Sequence, residues 1–173
     1  YQNIKDVCKV YFVTPDNWIN VFEKYKPDVF LCESAWSGIE QYKDSWRGKI
    51  YSNKAVLFET RKTLFNILNY CNKAGIKTVF WNKEDPVYFN DKYHNFVNTA
   101  LKFDYIFTTA EECVIRYVEL GSRNVSLLKF GFSPALFNSS QNEIKENKAV
   151  FAGSYYADHP QRCKDMEQIF DMV

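Results

Sequence analysis

Val79-Phe80-Trp81-Asn82-Lys83-Glu84-Asp85-Pro86 is the stretch that decides the fold: an apolar, strand-like run ends abruptly in a polar, acidic loop closed by proline. In α/β proteins ligands bind outside the carboxyl ends of parallel strands. A strand that empties into Asn82, Glu84 and Asp85 therefore marks a place for a site.

Outward from this stretch, short apolar runs alternate with longer segments of helical period, the pattern of βαβ units. Strands are predicted at Val7–Val13, Val29–Cys32, Thr78–Trp81, Tyr105–Thr108, Val125–Leu128 and Val150–Ala152. Fully apolar runs of this length suit strands covered on both faces. The predicted fold class is α/β, a Rossmann-like, mainly parallel sheet with helices on both faces. Asp16 can cap a helix through Tyr25, with Trp18, Val21, Phe22 and Tyr25 on one face. From about Thr60 to Lys73, Leu64, Ile67, Leu68 and Cys71 form an apolar stripe, and Gly75 follows where a left-handed residue is needed. Further helices are predicted over Tyr93 to Lys102 and Ala110 to Leu120, the latter with Cys113, Val114, Tyr117 and Val118 on one side before Gly121.

Two connections exceed the usual loop length. The one from Glu33 to about Tyr51 carries Trp36, Gly38, Tyr42, Trp46, Arg47 and Gly48, and a long loop after a strand is usually functional or mobile. Asn138 to Asn147 is polar, small and charged and reads as an interdomain linker. The expected organisation is a Rossmann-like domain over residues 1–138, a linker over 139–147 and the start of a second α/β domain over 148–173. A first residue other than Met and a final helix-like pattern suggest a fragment of a longer polypeptide.

With 173 residues, 46% apolar and 18% aromatic, the chain can bury a sizeable core and is not of disordered composition. Its 22 basic and 21 acidic side chains nearly cancel and are scattered, which argues against nucleic acid or anionic lipid as partner. No apolar run approaches the roughly 20 residues of a membrane span, and no targeting peptide is visible. Cys8, Cys32, Cys71, Cys113 and Cys163 are widely spaced, with no CxxC or Cys/His cluster. Buried free thiols in a reducing cytoplasm are expected, with neither a zinc site nor a disulfide framework.

The chemistry-bearing residues concentrate at strand ends. Glu84 and Asp85 can act as general base and orienting group, or can hydrogen-bond sugar hydroxyls; the plainer account has them capping the turn before Pro86. Trp81 and Asn82 adjoin them. Glu33 and Ser34, ending an earlier strand, share the same rim if the sheet is parallel, although Glu33 also reads as a solvated loop acid. At Thr108 to Glu112 a strand turns directly into a helix. Thr109 as N-cap with Glu112 as the capping-box acid is a complete account there, with ligand contact the alternative. The turn Phe151-Ala152-Gly153-Ser154-Tyr155-Tyr156 precedes the last helix. Gly153 allows close approach of a ligand, and Ser154 with the helix start and Arg162 can hold a diphosphate. One glycine is far less specific than a full phosphate-binding loop. His94 and His159 are isolated, without metal-ligand spacing.

WNKEDPVYF (Trp81 to Phe89), FDYIFTTAEECVIRY (Phe103 to Tyr117), LLKFGFSPALFN (Leu127 to Asn138) and VFAGSYYADHPQR (Val150 to Arg162) together resemble the CgeB-like, or spore-maturation-protein-like, family of bacterial GT-B glycosyltransferases. The resemblance covers most of residues 28 to 162. It implies two Rossmann-like domains facing across a cleft, the first binding the acceptor and the second the nucleotide-sugar donor. No cofactor and no catalytic metal are implied, because helix dipole and basic side chains stabilise the departing nucleoside diphosphate.

Carried onto this chain, Glu84 and Asp85 become the catalytic carboxylates. Gly153, Ser154, Tyr155 and Arg162 fall at the start of the donor half as contacts to the donor diphosphate, and Glu33, Ser34, Trp36, Trp81, Asn82 and Thr109, read from their place at strand ends and in the loop after the first of them, are the substrate-binding candidates. The expected function is transfer of a sugar to a glycan, cell-envelope or protein acceptor in the cytoplasm. This chain alone is expected to be inactive, since most of the donor domain lies beyond it.

The rival is a non-catalytic carbohydrate-binding or assembly module of GT-B shape, with Trp36, Trp46, Tyr155 and Tyr156 as its recognition surface. A Rossmann oxidoreductase fares worse, because Val13-Thr14-Pro15-Asp16 lacks the glycines of a dinucleotide turn.

Overall fold

The computed structural model describes residues 7–38, 44–53, 56–131, 151, 153–155 and 157–172. The chain divides into two compact units, Tyr1–Ser133 and Pro134–Val173.

In the first unit the described elements run α1 (Trp18–Tyr25), β1 (Val29–Glu33), α2 (Lys62–Ala74), β2 (Lys77–Asn82), α3 (Phe96–Ala100), β3 (Tyr105–Thr108), α4 (Glu111–Glu119) and β4 (Val125–Leu127). The four strands form one sheet in the order β1-β2-β3-β4, every pair parallel. The fold is thus the expected α/β class, an all-parallel sheet flanked by helices. Successive crossovers step one way across the sheet, and right-handed connections of that kind place their helices on one face. The core agrees. Phe30, Cys32, Phe80 and Ile106 pack with Phe22 of α1, Leu64, Ile67 and Cys71 of α2, Phe96, Val97 and Ala100 of α3, and Cys113 and Tyr117 of α4.

Alternation along the strands sends the intervening residues to the other face. There Val29 and Leu31 remain 50% and 51% exposed, and Val79, Trp81 and Phe107 are only partly covered. The cover expected on this second face is not supplied by any described helix of the unit, all four of which contribute to the single core.

Gly75, at φ +71°, ends α2 in the left-handed conformation, and its N–H with that of Ile76 closes the last turn. Three local expectations are corrected. Val7–Val13 forms no strand among its described residues. Its carbonyls accept from side chains instead: Phe12 from the Asn17 amide at 3.4 Å and Val13 from the Trp46 indole at 2.7 Å. Asn17, not Asp16, is the N-cap of α1, held by a reciprocal pair in which the Thr14 N–H donates to Asn17 Oδ1 and the Asn17 N–H to Thr14 Oγ1. The helix expected over Tyr93 to Lys102 shortens to Phe96–Ala100, because Asn95 at φ +49° starts it late and caps the Asn98 N–H.

In the second unit, α5 (Pro160–Phe170) begins with proline at its first position, where the missing N–H costs nothing. It buries Cys163 and Met166. The predicted linker 139–147 lies outside the described residues, as do Val150 and Ala152 of the predicted last strand; Phe151 is irregular. No helix among the described residues is long and apolar enough to cross a membrane. The five cysteines are free, all buried except Cys8.

Candidate functional site

The parallel register brings the carboxyl ends of β1, β2, β3 and β4 to one edge, with Glu33 level with Trp81, Asn82 with Thr108, and Thr108 with Leu127. Glu33, Ser34, Trp81, Asn82, Glu84, Asp85 and Thr109 therefore belong to one rim. Packing sorts them into buried struts and accessible groups.

Ser34 is buried. Its N–H donates to the Trp81 carbonyl at 2.9 Å and its hydroxyl accepts from the Lys83 N–H at 2.7 Å, which extends the β1–β2 pairing past the strand ends. Asn82 is fully buried, and its amide donates to Asp85 Oδ1 and to the Tyr117 hydroxyl, both at 2.8 Å, while its carbonyl oxygen accepts from the Glu84 N–H. Asp85, also buried, accepts further bonds from the Thr108 hydroxyl at 2.7 Å and from Tyr117. Burial pushes the Asp85 carboxyl up to about 6; the hydrogen bonds from Thr108 and Tyr117 and the charge of Arg116 oppose the rise, and Glu84 adds to it. The Tyr117 hydroxyl is held well above its ordinary range by burial and by the Asp85 charge.

Thr109 does not cap α4. Its hydroxyl donates to the main-chain carbonyl of Asp85 at 3.1 Å, and Ala110 is the N-cap residue without a side-chain cap, so the capping box expected with Glu112 does not form. Asn82, Asp85, Thr108, Thr109 and Tyr117 thus brace the acidic loop from below.

Glu84 differs from its neighbour. It is half-buried, and burial raises its carboxyl above the usual range, opposed by a hydrogen bond from the Trp36 indole and by the charge of Lys83. Trp36 is itself fixed edge-on against Tyr88, His94 and Phe96, with ring centroids at 5.1, 4.8 and 5.0 Å. Beside it the Lys83 ammonium pairs with Glu33 at 2.6 Å, with roughly half of the Glu33 side chain open to solvent. A half-buried carboxylate of raised proton affinity, beside an indole donor, suits proton abstraction near neutral pH. A buried carboxylate whose oxygens are engaged by three donors suits positioning.

Of the aromatics read as a recognition surface, Trp36 and Trp46 serve as loop anchors, the second through its bond to Val13. Tyr156 lies outside the described residues. In the second unit Ser154 and Arg162 are exposed, and the Tyr155 hydroxyl donates to Glu167 of α5. A Cβ on Gly153 would lie 2.6 Å from the tip of the Phe151 ring, a half-exposed side chain that would have to move.

Two clefts, of about 260 and 350 Å³, share Leu68 and Lys102 and lie toward the amino ends of the strands near Thr78 and Asp104, away from the acidic loop. Asp104 there is bonded to the Thr78 N–H and hydroxyl. Among the described residues no group of three or more His, Cys, Asp or Glu side chains is arranged to hold a metal ion.

Lys83 and Tyr117 are site-shaping residues not singled out in the sequence, and Thr108 was read there only as the start of a strand-to-helix turn. Tyr117 reads there as one member of an apolar stripe. The signal was its hydroxyl, which needs a partner once buried.

No family model, no curated protein and no solved structure matches the chain.

Proposed function

We propose that this chain is the acceptor-side domain, with the opening unit of the nucleotide-sugar domain, of a cytoplasmic GT-B type glycosyltransferase. The reading rests on the sequence resemblance and on one observation above all. Glu84 stands just past the carboxyl end of a central parallel strand, half-buried, raised in proton affinity and with the Trp36 indole beside it. In this account an acceptor hydroxyl passes its proton to Glu84, the oxygen attacks the anomeric carbon, and the bond to the nucleoside diphosphate breaks with its electron pair leaving on the phosphate. Asp85 positions the loop and is not the base. Gly153, Ser154, Tyr155 and Arg162 are the proposed contacts to the departing diphosphate, where a cation and backbone N–H groups stabilise charge.

The test is calorimetric titration of the full-length protein and of this chain with nucleoside diphosphates and their sugar conjugates, followed by a transfer assay. Binding and turnover by the full-length protein, with neither in this chain, is the expected result. Absence of donor binding in both removes the reading. The alternative, a non-catalytic carbohydrate-binding module, draws on the partly exposed Trp81 beside Phe130. It predicts saccharide binding by the full-length protein without donor hydrolysis or transfer.

A further inference from the structure

On the sheet face opposite the helices, four side chains converge at the carboxyl end of β2. Trp81 donates its indole N–H to the Leu128 carbonyl at 3.0 Å, which fixes the ring. Phe130 packs beside it, centroids 5.4 Å apart and planes inclined by 51°, yet stays 67% exposed. Glu33 is the cross-strand neighbour of Trp81. The Lys83 ammonium, paired with Glu33, lies 5.8 Å from the Trp81 ring centroid. A shallow aromatic angle is thereby bordered on one side by an acceptor-only carboxylate and a donor-only ammonium.

We infer that this cluster is a subsite for a neutral pyranose ring with equatorial hydroxyls. The match is chemical on two sides. The axial C–H groups of such a ring form an apolar face that lies flat on aromatic carbon, and burying it there removes apolar surface from water. Its equatorial hydroxyls radiate in the ring plane, where Glu33 can accept and Lys83 can donate. An axial hydroxyl would point into the aromatic surface and be left without a partner, which selects against it. The rings and the ion pair are positioned before any ligand arrives, since Trp81 is tied to Leu128 and Glu33 to Lys83, so little side-chain freedom remains to be lost on binding.

Naming the ring as part of the acceptor rests on the glycosyltransferase reading; the binding itself does not, and is measured without turnover. The experiment is saturation-transfer NMR on this chain with methyl β-D-glucopyranoside, cellobiose, methyl α-D-mannopyranoside and uridine monophosphate. Sedimentation velocity is run on the same samples. Saturable transfer to the glucoside and cellobiose, weaker transfer to the mannoside, and about a tenfold loss of affinity in Phe130→Ala are expected. Phe130 is exposed, so its removal leaves the fold intact where Trp81→Ala would not guarantee that. Glu33→Gln with Lys83→Met should weaken binding of the glucoside and cellobiose by removing the partners of their equatorial hydroxyls, while the residual stacking still disfavours the mannoside.

No saccharide signal, or one unchanged in Phe130→Ala, overturns the inference. A signal from the nucleotide alone overturns it in favour of a base-stacking surface. A dimer that dissociates in Phe130→Ala, without a saccharide signal, overturns it in favour of a self-association surface. Saccharide binding with the stated variant effects, in a full-length protein that shows no transfer, sustains the subsite and removes only the enzymatic reading.

Discussion

The Thr108 hydroxyl donates to the Asp85 carboxylate at 2.7 Å, tying the end of β3 to the loop that leaves β2. With the Asn82 amide on the other oxygen, it keeps both oxygens of a buried carboxylate hydrogen-bonded. Thr108→Val retains the shape and deletes the donor. A loss of about 1.5–3 kcal/mol in denaturant unfolding is expected, the range for a hydrogen bond to a charged group. A loss well under 0.5 kcal/mol would show the carboxylate to be satisfied without it.

The same carboxylate makes stability depend on pH. Its proton affinity in the fold, at about 6, exceeds that of an unfolded aspartate near 4. Between these values the folded state binds more protons than the unfolded one, so this group's contribution to stability falls as pH rises from about 4 to 6 and is constant outside that window. Two pKa units correspond to about 3 kcal/mol. Asp85→Asn should flatten that segment of the stability profile measured by urea unfolding, and an unchanged slope would assign it to other groups.

Arg61 holds the entry to α2. Its guanidinium meets Glu59 through two nitrogens, each at 2.8 Å, and its third nitrogen reaches Asn98 and buried Thr99, both in α3. Arg61→Ala should cost about 1–3 kcal/mol, because it leaves the buried Thr99 hydroxyl without its donor and releases Glu59 and Asn98. Arg61→Lys should recover little of it, because an ammonium cannot reproduce the fork. Full recovery by lysine in thermal unfolding would contradict that geometry.

Trp36 lowers the proton affinity of Glu84 by its hydrogen bond, against the opposing effect of burial. Trp36→Phe removes the donor and keeps an aromatic ring, so the Glu84 carboxyl should titrate at higher pH by carboxylate NMR. In the full-length protein, a rate limited by ionised Glu84 should show its acidic limb displaced the same way. A limb that stays fixed would separate Glu84 from the rate-limiting ionisation.

The sheet was legible because its strands are short segments built around apolar residues: Val29–Glu33, Lys77–Asn82, Tyr105–Thr108 and Val125–Leu127 fall within a residue or so of expectation at each end. Val7–Val13 has the same apolar character, but its backbone is claimed by the Asn17 side chain and by that of Trp46, 33 residues further along, which no local pattern encodes. Glu33, Ser34, Trp81, Asn82, Glu84 and Asp85 were expected on one rim and lie there, since strand ends carry that information. Their division into struts and accessible groups was not legible. Asn82 and Glu84 are two residues apart and equally polar, and only the approach of Tyr117 and Trp36 from elsewhere in the chain buries one and leaves the other half open.

The central claim, that Glu84 is the proton acceptor on this rim, is tested most directly by sugar transfer in the full-length protein carrying Glu84→Gln. The account predicts a fall in kcat of about 10²–10⁴-fold, the usual contribution of a general base, with thermal stability and donor affinity unchanged. Turnover equal to that of the unsubstituted protein, with the fold intact, would contradict it.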